Sequence, residues 1–408
     1  MPLSAHILCA NKNSSFASDI LRKAASGVYL GRPMKLLEPT EIKGLHLPNR
    51  FIRSATWEGL ADGDGACTPE LVDLMLKLVK GGVGLIITGH TYVSSAGQAT
   101  PWQLGLYKDS LIEGLKEMTE AVHREGGKII LQLAHGGLMA RSELTGTAPQ
   151  GPSSEKGQDN DPGRGMAIDE IEETIAAFGQ AARRAKTAGF DGVQIHSAHG
   201  YLLNQFLSLA FNLREDKYGG SIENRARALL EVYHSIRRAV GRYYPILVKI
   251  NSEDFMERGL ILSDVIRIAA LLDHAGVDAI EVSGGTFVSG QLGPCRNKII
   301  FERDQAYFRK AARLLRAAIK APVILVGGIR SYLLAERLMV EGVADYISLC
   351  RPFIREPWLI KRWVSGDLRN ATCISCNACF GPAMSGKGIY CVEDRKIEMR
   401  GKRKASPY

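Results

Sequence analysis

Long apolar runs are absent from this chain of 408 residues. The longest extend over only a few positions, as in Ile246–Val248 and Val323–Val326. A membrane-spanning helix needs about 20 such residues, so a soluble protein with no membrane partner is expected. Met1–Pro33 lacks the apolar core of a signal peptide, and secretion is not expected. Basic blocks are missing too, apart from the tail Arg400-Gly401-Lys402-Arg403-Lys404, which reads as a solvated end. The excess of 52 Lys+Arg over 43 Asp+Glu, a net charge of +9, is spread along the chain. That spread argues against a nucleic-acid partner and suits phosphate-bearing small ligands. Three signatures of chemistry are also absent. There is no Gly-x-Gly-x-x-Gly dinucleotide fingerprint, no His-Glu-x-x-His zinc motif and no Gly-x-Ser-x-Gly elbow.

What is present is ordinary globular usage, 45% apolar and 23% charged, which excludes extended disorder and collagen-like repeats. Of the eight cysteines, four fall between 373 and 391. A late cluster in an enzyme-sized chain fits a metal or iron–sulfur site in a reducing compartment, so a cytoplasmic location is expected. Residues 1–33 carry Lys12, Arg22, Lys23 and Arg32 against Asp19 alone. They read as an N-terminal extension, non-native or disordered, with Met34 the functional start; a transit-like segment or a helical arm is the alternative.

From Met34 on, apolar runs alternate with amphipathic stretches. Strands are expected at Arg50–Ser54, Val83–Thr88, Lys128–Leu133, Gly192–Ile195, Ile246–Ile250, Ala279–Val282, Val323–Val326 and Tyr346–Leu349. Helical periods lie between them, at Pro69–Lys80, Ser110–Glu125, Asp169–Ala188, Ile222–Val240, Ser263–His274, Arg303–Ile319 and Tyr332–Glu341. Continuous apolar strands alternating with helices indicate a parallel sheet. The fold class expected is α/β, a (β/α)8 TIM barrel over residues 34–366, followed by a short cysteine-rich extension, 367–408. A doubly wound sheet is the rival, without its glycine fingerprint. Thr145–Gly165, rich in Gly, Pro, Ser and Asp, reads as a long loop at the barrel mouth, either a lid or a surface excursion.

Barrel strands aim their carboxyl ends at one site. Those ends supply Ser54-Ala55-Thr56-Trp57, Gln132, His196 with His199 and Tyr201, Lys249, Gly327-Gly328 and Cys350-Arg351. The last two sets stand where barrels hold phosphate, and backbone N–H groups with a guanidinium fork suit that task. No strand end offers paired carboxylates for acid and base work. A neutral-to-positive set of this kind suits an anionic redox cofactor and a substrate carbonyl, with Tyr201 as an acid.

The stretch His196-Ser-Ala-His-Gly-Tyr-Leu-Leu-Asn-Gln-Phe-Leu-Ser208, with Asn212-Leu-Arg-Glu-Asp-Lys-Tyr-Gly-Gly-Ser-Ile-Glu-Asn-Arg225, resembles the old yellow enzyme family of FMN-dependent NAD(P)H oxidoreductases. Gly81–Thr88 and Val326–Ile329 support the resemblance, which extends from Met34 to about Trp358. It implies FMN as cofactor, NAD(P)H as co-substrate and an enone- or enoate-type alkene as substrate. It implies that Ser54, Ala55 and Thr56 lie along the flavin, Gln132 at its pyrimidine edge and Lys249 near its N1 and O2. It implies phosphate contacts from Gly328 and Arg351, beside Gly327. It implies that His196 and His199 bond the activating oxygen and that Tyr201 protonates the α-carbon. Two departures bear on substrate choice: Trp57 replaces a small residue and tightens the site, and Gly89 after strand two reopens room. Arg214, Asp216, Glu223, Asn224 and Arg225 read as structural braces; Cys67, Cys295 and Cys350 read as ordinary thiols.

Cys373, Cys376, Cys379 and Cys391 follow a C-x2-C-x2-C-x11-C pattern, a strong metal signal. It resembles the four-iron loop of 2,4-dienoyl-CoA reductase and trimethylamine dehydrogenase, members of the same family. Three uses stay open: a [4Fe–4S] relay fed by a separate electron-transfer partner, a structural relic, or zinc. The sequence as given has no room after the loop for the second-nucleotide domain of those relatives. An amine dehydrogenase is the alternative activity; it would want an aromatic bowl, for which Trp57 and Trp102 are the candidates. A homo-oligomer is expected.

Overall fold

The computed structural model describes residues 28–29, 32–154 and 161–405. Nearly all of the expected extension, 1–33, lies outside the described residues. Eight parallel strands close into a barrel: β1 (Phe51–Arg53), β2 (Leu85–Tyr92), β3 (Ile129–Ala134), β4 (Val193–Ser197), β5 (Ile246–Asn251), β6 (Ala279–Ser283), β7 (Val323–Leu325) and β8 (Tyr346–Leu349). They pair in sequence order, and β8 pairs with β1 to complete the ring. All eight are buried throughout, because helices cover one face and the barrel interior occupies the other.

The helices are α1 (Pro69–Lys80), α2 (Ile112–Arg124), α3 (Ile168–Thr187), α4 (Ile222–Val240), α5 (Leu262–Ala275), α6 (Arg309–Ala318) and α7 (Tyr332–Val340). Their starts follow local chemistry. The Thr68 hydroxyl accepts the Leu71 N–H ahead of Pro69, and Leu71, Met75 and Leu78 then form the buried stripe of α1. Ser221 and Ser331 cap α4 and α7 in the same way. Helix α6 starts later than its periodicity suggests. Glu302–Asp304 is a separate 3-10 turn, and Ala306, at φ 51°, breaks the helical path.

Side chains two apart share a strand face, and this period stacks the barrel interior in layers. The lower layer is apolar: Ile52, Ile130, Leu247, Ala279, Ile324 and Tyr346 pack with Ile42, Leu45 and Leu47 of the hairpin Thr40–Ile42/Leu45–Leu47. The Tyr346 hydroxyl donates to the Glu41 carbonyl at 2.9 Å and fixes that plug. Two residues further along the same strands the layer is polar, with Ser54, Gln132, Lys249, Glu281 and Ser348. That switch from plug to polar layer positions the site.

Strand β2 runs past the expected Thr88, because its pairing with β3 slips between Ile87 and His90. Such a bulge adds a residue and re-aims the chain. Gly89 therefore lies inside the strand, and the room expected from it is filled. Its N–H donates to Glu58 Oε1 at 3.0 Å, and a Cβ there would fall 2.2 Å from Glu58 Oε2. Glu58 is held by Arg53, 2.8 Å away, and both side chains are buried. Gly89→Ala is expected to lower stability by about 1–3 kcal/mol through overpacking. Gly63→Ala, where nothing lies within 4 Å of the added carbon, should stay within about 0.5 kcal/mol. Urea midpoints of the two variants check this.

Candidate active site

At the centre of the polar layer, Glu281 on β6 is fully buried. Its Oε1 accepts from Ser54 at 2.7 Å and from Ser348 at 2.8 Å, and its Oε2 accepts from Gln194 Nε2 at 2.9 Å. Lys249 Nζ stands 3.4 Å from Oε2 and donates to Ser54 Oγ at 2.9 Å. Gln132 Nε2 donates to Gln194 Oε1 at 2.7 Å. One carboxylate thus orders side chains from β1, β3, β4, β5 and β8. Glu281 and Gln194 were not singled out from sequence, although an acid inside an apolar, doubly covered strand was the signal for it.

Above this layer, a small cavity of about 60 Å³ is lined by Gly327, Gly328, Arg330, Arg351 and Ser375 at one end and by Ser54, Ala55, Lys249 and His199 at the other. Gly327 and Gly328 have φ of 131° and 69°, values that favour glycine. A Cβ on Gly328 would fall 2.7 Å from the Tyr307 ring, so the pair is also a close approach. Arg330 is a second cation here that sequence reasoning missed. Its neighbour Arg351 donates to Asn377 Oδ1 at 2.6 Å and to the Arg296 carbonyl at 2.8 Å.

Ala55, Lys249, His199, Pro294, Cys295 and Cys350 also line the wider cavity at the mouth, about 420 Å³, so the two cavities adjoin across shared walls. Thr56, Trp57, Gln132, His196 and Tyr201 line the wider part. The structure therefore gathers every expected strand-end residue around these adjoining cavities. Cys295 and Cys350, free and half-buried as expected, line them too. Trp57 lines the cavity with a buried, unpartnered indole N–H; Trp102 is not among the lining residues, its ring packing at Gly386 instead. No described residue of Thr145–Gly165 lines the cavity. That segment is tied down by Arg214, which donates to the Pro152 and Met166 carbonyls and pairs with Asp216 at 2.5 Å.

The His196 and His199 rings are 5.1 Å apart and edge-on. His196 Nδ1 is buried without a partner. His199 Nε2 bonds Ser283 Oγ at 2.7 Å. Burial, with Lys249 and the neighbouring imidazoles, holds both pKa values well below the ordinary histidine value, so the pair is neutral. Tyr201 Oη lies 3.2 Å from His90 Nε2, a partner missed because the strand was ended short of the bulge. Burial lowers His90 to about 4 and raises the Tyr201 phenol, which stays protonated.

The orphaned imidazole nitrogen, the glycine cradle, two guanidinium groups and a buried ammonium on two adjoining cavities fit a flavin with a single phosphate arm. The cysteines fit a metal less well. Cys373, Cys376, Cys379 and Cys391 share one small cavity with Arg351 and Asn377. Yet among the described residues no three His, Cys, Asp or Glu side chains converge closely enough to hold a metal ion. Cys376 is exposed while Cys379 is buried. The expected cluster or zinc site is corrected to this extent: the thiols are neighbours, not a formed ligand set.

Comparison with known proteins agrees with the geometry. Residues 35–369 match the model of the NADH:flavin oxidoreductase / NADH oxidase family. The chain belongs to this family. FMN and NAD(P)H are the family's cofactor and co-substrate. The chain is similar to an NADH oxidase of Thermoanaerobacter brockii, 38% identical over 85% of this chain and 53% of that protein. It is similar to an NADPH dehydrogenase of Bacillus licheniformis, 36% identical over 79% of this chain and 92% of that one. Among solved structures, an old yellow enzyme homologue from Zymomonas mobilis superposes with a TM-score of 0.72 at 28% identity, over 84% of this chain and 96% of that one. The chain thus spans about half of the first relative and nearly all of the other two. No helix of the described residues is long and apolar enough to cross a membrane.

Four buried histidines, His90, His135, His196 and His199, carry lowered pKa values in this family member. Unfolding frees each to titrate near 6.5. Their contribution to stability is therefore complete above that pH and is lost as pH falls from 6.5 toward 4, by about 1.4 kcal/mol per pH unit for each histidine charged only in the unfolded chain. Urea unfolding at pH 7, 6 and 5 should show a steady decline; a flat profile would contradict the neutral assignment.

Proposed function

We propose that the chain is an FMN-dependent ene-reductase that uses NAD(P)H to reduce a carbonyl-conjugated alkene. The observation that carries this reading is the pair of adjoining cavities that leads from the glycine cradle past Lys249 to a neutral histidine pair and a protonated tyrosine, with no carboxylate among the described lining residues. FMN, when bound, supplies hydride transfer. Gly327, Gly328 and Arg351, with Arg330 beside them, would hold its phosphate through backbone N–H groups and guanidinium forks. Ser54, Ala55 and Thr56 would flank its ring and Gln132 its polar edge. Lys249, held by Glu281 and Ser54, would place a cation where negative charge on the ring is stabilised.

The substrate end is derived from the residues alone. Neutral imidazoles of His196 and His199 each offer one N–H to a carbonyl oxygen, which polarises the conjugated alkene without adding a competing positive charge. Tyr201 holds a proton for the α-carbon. Its burial keeps that proton in place at neutral pH, and the His90 contact fixes the ring's position. Trp57 narrows the cavity on the side of the cysteine segment, where it packs with Cys379, Ala383 and Ile389.

A second reading concerns the cysteines. Their spacing and their shared cavity support a [4Fe–4S] cluster first and zinc second, with the ligands drawn together as the metal binds. An electron-transfer partner would then be a separate protein or domain. Cys376→Ser should abolish iron and acid-labile sulfide in anaerobically prepared protein while FMN is retained; stoichiometric zinc without sulfide would make the site structural. The amine-dehydrogenase alternative has less support, because Trp57 has no aromatic partner in Trp102 at the cavity.

Tyr201→Phe tests the main reading. General acid catalysis is worth about 10²- to 10⁴-fold, so alkene reduction should fall by that factor. NAD(P)H oxidation with an artificial acceptor, which needs no proton from Tyr201, should fall far less. Equal loss in both assays, or no loss in either, removes Tyr201 as the donor.

A further inference from the structure

One cation on the cavity wall is left without a task by the proposed function. Arg141, which follows the short turn after β3, lines the mouth cavity together with Tyr201, His90 and Trp57. Its Nε is buried and bonds no protein group. Its side chain is 19% exposed, and its single ion pair runs outward, Nη1 to Glu143 Oε1 at 3.3 Å, where Glu143 is 69% exposed. Exposed pairs of that kind are weak and screened. The backbone of Arg141 is fixed by its N–H donating to the Gln98 carbonyl and by its own carbonyl accepting from Leu144 and Thr145. The guanidinium is therefore presented from an ordered loop, largely desolvated and incompletely paired among the described residues.

The rest of the wall sharpens the point. No Asp or Glu among the described residues lines this cavity. The other full cation, Lys249, is satisfied by Glu281 and Ser54. The three histidines are neutral. Among the described residues that line this cavity, Arg141 is the cation whose one ion pair runs outward to an exposed acid, and its field is felt at the Tyr201 phenol. A buried guanidinium N–H with no acceptor is costly, and a carboxylate offers the fork geometry that relieves it.

We infer that Arg141 is a specificity-determining residue and that the substrate is anionic, a carbonyl-conjugated alkene bearing a carboxylate beside Tyr201. The inference rests on the ene-reductase reading of the same cavity. It assigns two anchors to one substrate: the histidine pair takes the activating oxygen and Arg141 takes the carboxylate. The distance between these anchors, and not the volume alone, then selects the substrate and its orientation over the proton donor.

Two phenols, one with a para carboxylate and one with that group masked as an ester, test this by calorimetric titration of the purified holoenzyme. 4-Hydroxybenzoate and its methyl ester each offer the oxygen the histidines would bind, and only the acid offers a carboxylate. The acid should bind about ten- to a hundredfold more tightly, the range of a charge-assisted bond. Arg141→Gln should erase most of that preference, Arg141→Lys should keep part of it, and Glu143→Gln, on the exposed side, should increase it. Should Arg141→Gln fail to fold, the wild-type comparison and Glu143→Gln still decide. Equal affinity for acid and ester in the wild type, or a preference that survives Arg141→Gln, overturns the role of Arg141 alone. Failure of both phenols to bind removes the oxygen-binding histidine pair, and with it the proposed function as well as this inference.

Discussion

A carboxylate with no exposure at the centre of a barrel is costly unless every lone pair is used. Glu281 meets that condition by taking Ser54, Ser348, Gln194 and Lys249 at once. The rest of the site depends on it. Ser54 begins the segment that flanks the cavity floor, Gln132 is oriented through Gln194, and Lys249 is pinned. Removing the acid would leave a buried ammonium unpaired and three polar side chains without their acceptor. A buried ion pair is a poor source of net stability; here its consequence is a cation of fixed position at the base of the cavity.

Above that layer the electrostatics change in kind. The imidazoles are neutral because they are desolvated and because Lys249 opposes further positive charge. The tyrosine is protonated for the matching reason, since burial disfavours the phenolate. Oriented dipoles, a held proton and four cations, Lys249, Arg141, Arg330 and Arg351, thus face two adjoining cavities, with no Asp or Glu among the described lining residues. That combination suits anionic cofactors and polarised carbonyls and is poorly suited to hydrolysis by paired carboxylates. The bulge in β2 serves the same end. It brings His90 to Tyr201, and Gly89 is the residue that lets Glu58 approach the kinked strand.

The barrel was legible in the sequence because its strands are buried on both faces and so read as continuous apolar runs, and because α1 and α4 carry their own caps. The strand-end residues were legible because a parallel barrel converges them. What stayed hidden has particular causes. Glu281 lies within an apolar strand where only its partners, distant in sequence, explain it. His90 sits beyond a register slip that no periodicity announces. Arg330 and Arg141 acquire meaning from the cavity they line, not from any local motif. Gly89 illustrates the reverse error: a small residue suggests room, but the space is taken by Glu58 from another loop. For the cysteines, spacing shows that four thiols can meet, while convergence depends on a loop that Arg330 and Asn377 hold through the Cys373 and Cys295 carbonyls.

The central claim, that this cavity belongs to a flavin with one phosphate arm, is tested most directly by the visible absorption spectrum of the purified, folded chain, followed by heat release and chromatography of whatever absorbs. The account predicts flavin bands that bleach on adding NAD(P)H and a released species that co-migrates with FMN. Release of FAD, or a folded protein that neither contains a flavin nor takes up added FMN, would contradict it.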